Sequence, residues 1–356
     1  MTLFIDVAAI AHNAVVVRDR ARHSGLNVTA VVKGPFGIPS IIDAVLSSGI
    51  NTLGLSSAAS ADAVRGRNRP CYEFIGLPLP EQAAAIVQHM DASLHICRET
   101  INAFALAAEE AQVDHGIWIG ILSSDDREGV ATEELLGRIV DWNDQLGKRL
   151  VLEGILAHWG CHFEVSPEAQ EIEAVLHAAI ELGERLQRAP LNVSLGGSTL
   201  LPMLGRFMAP PRTQLRIGEA ILTGTIPGCE KHGLGLREPF SIDARIVEVS
   251  ARRVEGALRP RVLIDYGASV LDYRDIRLIG SSGRAQWSSS GMTAVELFDS
   301  SQAPRIGETL TFTIGYRSAL RALSNPEVSR CERNLTGGIP LLKYQQSAEQ
   351  PVLKAG

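Results

Sequence analysis

The chain has 356 residues, 45% hydrophobic and 21% charged, a balance that suits a globular protein and excludes a disordered one. Its 34 basic and 40 acidic residues leave a formal charge of −6 with no basic block, which argues against a nucleic-acid partner. No apolar run approaches the roughly 18 residues of a membrane span. The opening MTLFIDVAAIAHNA lacks a basic segment and carries Asp6 early, so it does not read as a secretion signal. The cysteines (Cys71, Cys97, Cys161, Cys229 and Cys331) are scattered and odd in number, with no CxxC pair. That pattern points to a reducing cytoplasm without a disulfide framework, and neither they nor the histidines show metal-ligand spacing.

From about residue 28 to 224, β-branched runs alternate with longer amphipathic segments, the pattern of consecutive βα units. Strands are expected at 28–33, 52–56, 72–77, 92–97, 116–122, 152–159, 191–196 and 214–218. Helices are expected between them, for example at 99–111 and 167–188. The second carries Ile172, Val175, Leu176, Ala179 and Leu182 on one stripe, with Ser166 and Pro167 marking its start. Eight such units over this length predict a closed (β/α)8 TIM barrel. An open doubly wound sheet is the rival, but no GxGxxG follows the first strand. After Gly224, a Gly/Pro-rich linker (225–235) leads to strand-like runs at 240–250, 260–267, 292–298 and 308–316. The expected organisation is therefore a barrel over 1–230, a C-terminal β domain over 231–343 and a polar tail over 344–356. The opening strand is left able to pack with the β domain.

Lys33 closes the first barrel strand, ahead of the turn GPFG. Catalytic groups of TIM barrels sit at such strand ends. A lysine amine directed into the mouth loses water, which disfavours its ammonium form and leaves a nucleophile for an aldehyde. A surface lysine lying along the rim is the other reading. After the seventh and eighth strands come Gly196, Gly197, Ser198 and Thr199, then Gly218 and Glu219. These turns suit a phosphate cradle of backbone N–H groups and a hydroxyl, or ordinary barrel turns.

The start FIDVAAIAHN (4–13), with Asp6, Ile10 and Asn13, followed by AVVK (30–33), resembles alanine-racemase-type enzymes of fold type III. The ornithine/lysine racemase-like branch is closer, through DDREGV (125–130), LEGILAHWGC (152–161), VSLGGSTLLPML (193–204), LRIGEAILTG (215–224) and IGYRSALRALS (314–324). The resemblance implies pyridoxal 5'-phosphate held as a Schiff base by Lys33, and interconversion of L- and D-amino acids, with ornithine or lysine as substrates. It makes Arg216 the donor to the pyridine nitrogen, where an arginine can only donate, with an ion pair to Asp or Glu at the barrel end as the other reading. His158 becomes the residue packed against the cofactor ring, with a satisfied core histidine as the other reading. Arg127 becomes the contact to the substrate carboxylate, although DDRE also reads as a solvated turn. It further implies a homodimer with shared active sites, in which a β-domain tyrosine serves as second base. That tyrosine's position falls here on Ala268, so Tyr266 is the expected substitute, with a core role as the alternative. Cys161 and Tyr273 are lesser candidates. The segment after Lys33 reads GPFGIP instead of AYGHG. For a substrate ammonium, Glu164 or Asp125 are the carboxylates at hand. The competing functions are a pyridoxal-phosphate carrier on the same barrel and a fold type III enzyme of another reaction type.

Overall fold

The computed structural model describes residues 2–58, 70–210, 212–229, 233–254, 257–298 and 304–333. The expected tail at 344–356, the end of the expected β domain and residues 230–232 of the linker lie outside the described residues.

The first strand, β1 (Thr2–Asp6), is followed by helix α1 (Val7–His23). Eight strands then form a closed parallel barrel in chain order. They are β2 (Asn27–Val31), β3 (Thr52–Leu55), β4 (Cys71–Phe74), β5 (Ala92–His95), β6 (His115–Gly120), β7 (Leu150–His158), β8 (Asn192–Gly196) and β9 (Gln214–Ile217). β9 returns to pair with β2, with Thr29 beside Arg216, which closes the ring. Such strands are covered on both faces, so they read as apolar runs with little alternation. β5 and β6 are buried at every position. Inside the barrel, Ala92, Leu94, Trp118 and Leu156 form an apolar cluster.

Helices among the described residues include α2 (Pro39–Ser47), α3 (Ala83–His89), α4 (Arg98–Ala111), α5 (Thr132–Asp144), α6 (Ala169–Arg185) and α7 (Glu219–Thr223). All five stripe residues expected on α6 are buried. The helix starts later than Ser166 and Pro167 suggested. Glu168 is its N-cap, and a capping box with Glu171 satisfies both ends of the first turn. Ser166 instead donates to the Thr199 carbonyl at 2.8 Å. None of the helices is long and apolar enough to cross a membrane, among the described residues.

Contacts divide the chain into Ala9–Glu238 and a second unit of Met1–Ala8 with Pro239–Gly356. The second unit is built on β10 (Phe240–Val254), β11 (Ala257–Ile264), β12 (Ile276–Leu278), β13 (Gly283–Ser288), β14 (Thr293–Leu297), β15 (Thr309–Ile314) and β16 (Ser329–Arg333). Its strand order is β12-β15-β10-β11-β14-β13, all antiparallel, and β1 joins it between β10 and β16. Helix α8 (Tyr316–Ser324) interrupts a region whose sequence reads as strands alone.

Between the barrel and α4 lies a buried polar chain. Ser93 Oγ sits 2.8 Å from Nε2 of both His95 and His115. His95 Nδ1 is 3.0 Å from Thr100 Oγ1, and His115 Nδ1 is 3.1 Å from the Met90 carbonyl. Burial holds both rings neutral, pushing their pKa values down to about 3 and about 4. A depressed pKa means that the unfolded chain takes up protons that the folded chain refuses. The pair's contribution is thus complete above about 6.5 and is lost as pH falls below it. Urea titrations should show the wild type losing stability between about pH 7 and pH 5 faster than His95→Gln/His115→Gln, by up to about 1.4 kcal/mol per pH unit for each histidine. Equal slopes in the two proteins would refute this account.

Candidate active site

The carboxyl ends of the barrel strands bring most of the chemistry-bearing side chains together. β2 stops at Val31, and the Val32 N–H reaches the Gly54 carbonyl at 3.0 Å. Lys33 follows in extended conformation (φ −74°, ψ 156°), two residues beyond the strand, and precedes the short turn Gly34–Phe36. Fully buried Phe36 anchors that turn, while Lys33 is half-buried.

On the other side of the ring, β7, β8 and β9 end in one register row. His158 pairs with Gly196, and Gly196 with Arg216. A Cβ at Gly196 would collide with both His158 Nδ1 and Arg216 Nη2. The bare glycine therefore lets imidazole and guanidinium close over the strand. Gly197 follows with φ 117°, a conformation that glycine adopts without strain. Arg216 is 5% exposed; its Nη2 donates to the Ala157 carbonyl at 3.1 Å. Its Nε has no hydrogen-bond partner among the described residues.

The electrostatics follow from this burial. Desolvation lowers the Arg216 pKa to about 10, with Glu73 and Glu128 opposing, so the guanidinium stays charged near neutrality. His158 is pushed well below its ordinary value by burial first, then by the charges of Arg216, Arg127 and Lys33. One neutral imidazole thus feels three cations. Below them Glu73 is 5% exposed, and burial pushes its carboxyl up. It accepts from Gln214 Nε2 at 3.0 and 3.2 Å, and Gln214 also donates to Ser194 Oγ at 2.9 Å.

Two turns face each other after β8 and β9. Ser198 Oγ accepts the Ala220 N–H at 3.0 Å, which ties the turn Ser198–Met203 to α7. The first internal bond of that turn runs from Leu200 N to Gly197 O at 3.2 Å, so the Ser198 and Thr199 N–H groups lie ahead of it. Thr199 Oγ1 lies 3.5 Å from the Trp159 carbonyl. Gly218 caps α7, and the Glu219 carboxylate accepts from Thr225 Oγ1 at 2.8 Å.

The loop after β6 holds a residue whose role the sequence did not disclose. Asp125 is 3% exposed and accepts four consecutive backbone N–H groups: Gly160 and Cys161 at 3.1 Å, His162 and Phe163 at 3.2 Å. Its oxygens are committed to the loop after β7, which answers the suggestion that it receives a substrate ammonium. Glu164, the other suggested carboxylate, is exposed. Arg127 pairs with Glu128 at 2.9 Å, and Cys161 Sγ lies 2.9 Å from His158 Nε2.

The expected second base is placed differently. β11 ends at Ile264, so Tyr266 and Ala268 do not share a strand face as the sequence suggested. The chain turns at Gly267, where a Cβ would overlap the Ser289 carbonyl. Tyr266 goes inward, 2% exposed, with a backbone hydrogen bond from Thr2, whereas Ala268 is exposed. Burial raises the phenol pKa. Tyr266 is a core side chain of its own unit. Tyr273, half-buried, has the Arg274 guanidinium 5.8 Å above its ring.

The barrel residues fit pyridoxal phosphate. They offer an amine for the aldehyde, a buried guanidinium with an unmatched Nε, a neutral imidazole and a hydroxyl between two glycine-led turns. Removing the Asp125 carboxylate should release the loop beside them. Asp125→Ala is expected to speed hydrogen exchange of amides 160–163 at least about tenfold, the change that ~1.4 kcal/mol of lost protection gives. Asp125→Asn, which keeps one acceptor, should fall between. Unchanged exchange in Asp125→Ala would show that the loop holds itself.

Comparison with known proteins agrees with this architecture. The family model "Alanine racemase, N-terminal domain" matches residues 5–225. Ornithine racemase of Acetoanaerobium sticklandii is 20% identical over 346 residues, 92% of this chain and 98% of that protein. The solved alanine racemase of Bacillus anthracis with bound L-Ala-P superposes with a TM-score of 0.70 at 14% identity, covering 96% of this chain and 97% of that one. D-threo-3-hydroxyaspartate dehydratase from Delftia sp. HT23 superposes equally well, with a TM-score of 0.70 at 16% identity over 93% of this chain and 94% of that one. With its closed barrel, rim lysine and family match over most of its length, the chain belongs to the alanine racemase family.

Proposed function

We propose that this chain is a pyridoxal-phosphate-dependent amino acid racemase, with ornithine or lysine as its substrate. One observation carries the reading: at the carboxyl rim of the barrel His158 shares a register row with Arg216 across Gly196, and the charges of Arg216, Arg127 and Lys33 all act on its neutral imidazole. Members of the family use pyridoxal phosphate, and the 20% identical relative is an ornithine racemase. Bound at this rim, the cofactor would supply an electron sink that acidifies the α-hydrogen of an amino acid.

The chain's own residues have separable roles. Lys33 Nζ would hold the cofactor covalently and, once displaced by a substrate amine, accept the α-proton. Arg216 only donates, and its unmatched Nε would meet the pyridine nitrogen, keeping that nitrogen unprotonated. A less complete electron sink favours quick return of the proton over other fates. His158, fixed by the register with Gly196, would pack against the ring. Ser198, whose oxygen already accepts from Ala220, would donate its hydroxyl proton to a phosphate oxygen, with the Gly197, Thr199, Gly218 and Glu219 backbones completing the cradle. Arg127 would meet the substrate carboxylate.

The test is incubation of the loaded protein with a panel of L-amino acids, including ornithine, lysine and alanine, in deuterated water. Racemisation yields the D-isomer with deuterium at the α-carbon, and Lys33→Ala should lose both that activity and the borohydride-trapped cofactor. Loss of ammonia without inversion would assign a lyase instead. Wild-type protein that binds cofactor but neither exchanges nor inverts any amino acid would favour a carrier. A homodimer belongs to the same proposal on the family resemblance, and light scattering that reads a single subunit would overturn it.

A further inference from the structure

The expected tyrosine is a core residue, yet inversion at carbon needs proton carriers on two sides. A different group stands at the rim. Cys161 Sγ is 2.9 Å from His158 Nε2, and neither partner is loosely held. His158 is fixed at the end of β7 with its ring over Gly196. Cys161 is fixed through its backbone, because its N–H is one of the four gathered by Asp125. Ser123 Oγ adds a second tie by donating to the His158 carbonyl.

An independent observation says that a ligand belongs beside this pair. Arg216 is 5% exposed, carries an Nε without a hydrogen-bond partner among the described residues, and has its Nη2 directed across Gly196 to the same His158 ring. A buried charged donor left unmatched is costly, so its acceptor is supplied by what binds there. The topology adds the second side. Lys33 follows β2 and Cys161 follows β7; two strands, β8 and β9, separate them one way round the ring and four the other. The two groups therefore rise from well-separated parts of the rim, yet the charge of Lys33 still acts on the Cys161 thiol.

We propose that Cys161, hydrogen-bonded to His158, is the second catalytic proton carrier of this enzyme, opposite Lys33. The proposal rests on the racemase reading and extends it. In one direction the α-hydrogen passes as a proton to Lys33 Nζ, which becomes an ammonium. The Cys161 S–H bond breaks, its proton goes to the α-carbon, and a thiolate remains. In the other direction the thiolate takes the α-proton and the Lys33 ammonium returns one. No electron is gained or lost, and proton exchange with water resets the pair. Burial, the largest effect, pushes the Cys161 thiol up and keeps it protonated at rest, ready to donate, while Arg127 and Lys33 partly offset that cost for the thiolate left behind. His158, being neutral, can accept from the thiol or donate to the thiolate. Tyrosine is thereby dispensable, which accounts for Ala268 at its expected position.

The experiment uses loaded wild type and Cys161→Ala, each with the separate L- and D-forms of the amino acid that wild type inverts in deuterated water. In Cys161→Ala inversion should fall by about a hundredfold or more, the usual weight of a general acid–base group. One enantiomer should keep exchanging its α-hydrogen with retention, through Lys33, and the cofactor colour should persist. A second measurement does not depend on turnover: the rate at which iodoacetamide alkylates Cys161, read by peptide mass spectrometry with and without pyridoxal phosphate. Bound cofactor should slow it several-fold, and His158→Ala should shift its pH profile. Unimpaired inversion by Cys161→Ala beside an active wild type overturns the role of Cys161 alone. Loss of colour and of exchange for both enantiomers shows a structural cysteine and also overturns it. A wild type that inverts no amino acid overturns the racemase reading and this role with it, whatever alkylation shows.

Discussion

A positive charge buried within a closed barrel governs the arrangement of this protein's rim. Arg216 lies on β9 with almost no access to water, and burial alone would favour its discharge. It remains charged because its pKa falls only to about 10, with Glu73 and Glu128 opposing the fall, and the Ala157 carbonyl accepts from it. Its neighbours are accordingly restricted. Gly196 must lack a side chain, His158 must be neutral, and the strand register must hold all three in a row. Each requirement is met by backbone geometry that belongs to the barrel itself, so the site shares its rigidity with the fold.

The barrel was legible in the sequence because its strands are buried on both faces and so appear as short apolar runs at regular spacing. All eight expected runs overlap a strand. The candidate site residues at or near strand ends, Lys33, His158 and Arg216, could be placed for the same reason: position along a βα unit fixes position on the rim. Boundaries were less legible. Lys33 lies beyond its strand, and α6 starts at a capping box whose glutamates resemble any surface pair in sequence.

What sequence reasoning missed depended on backbone groups. Asp125 stands in a run of charges that reads as a solvated turn, and nothing in the side chains of residues 160–163 announces that their N–H groups converge on it. Tyr266 was assigned a strand face because IDYGAS follows a β-branched run. The chain instead turns at Gly267, and a turn abolishes the alternation on which that inference stood. In both cases the deciding fact was where a hydrogen-bonding backbone goes, a quantity that residue types constrain weakly.

The clamp formed by Asp125 has an evolutionary corollary. Because the loop after β7 is gripped by its amides, the identity of Phe163, 54% exposed, contributes little to where it lies, whereas the His162 ring adds a tie of its own, its Nδ1 lying 3.2 Å from the Asp125 carbonyl. Gly160, which has no room for a side chain, is excluded from that freedom. The side chain at position 163 can therefore be exchanged while the loop keeps its course, which makes it an inexpensive place for a lineage to change which molecules it accepts.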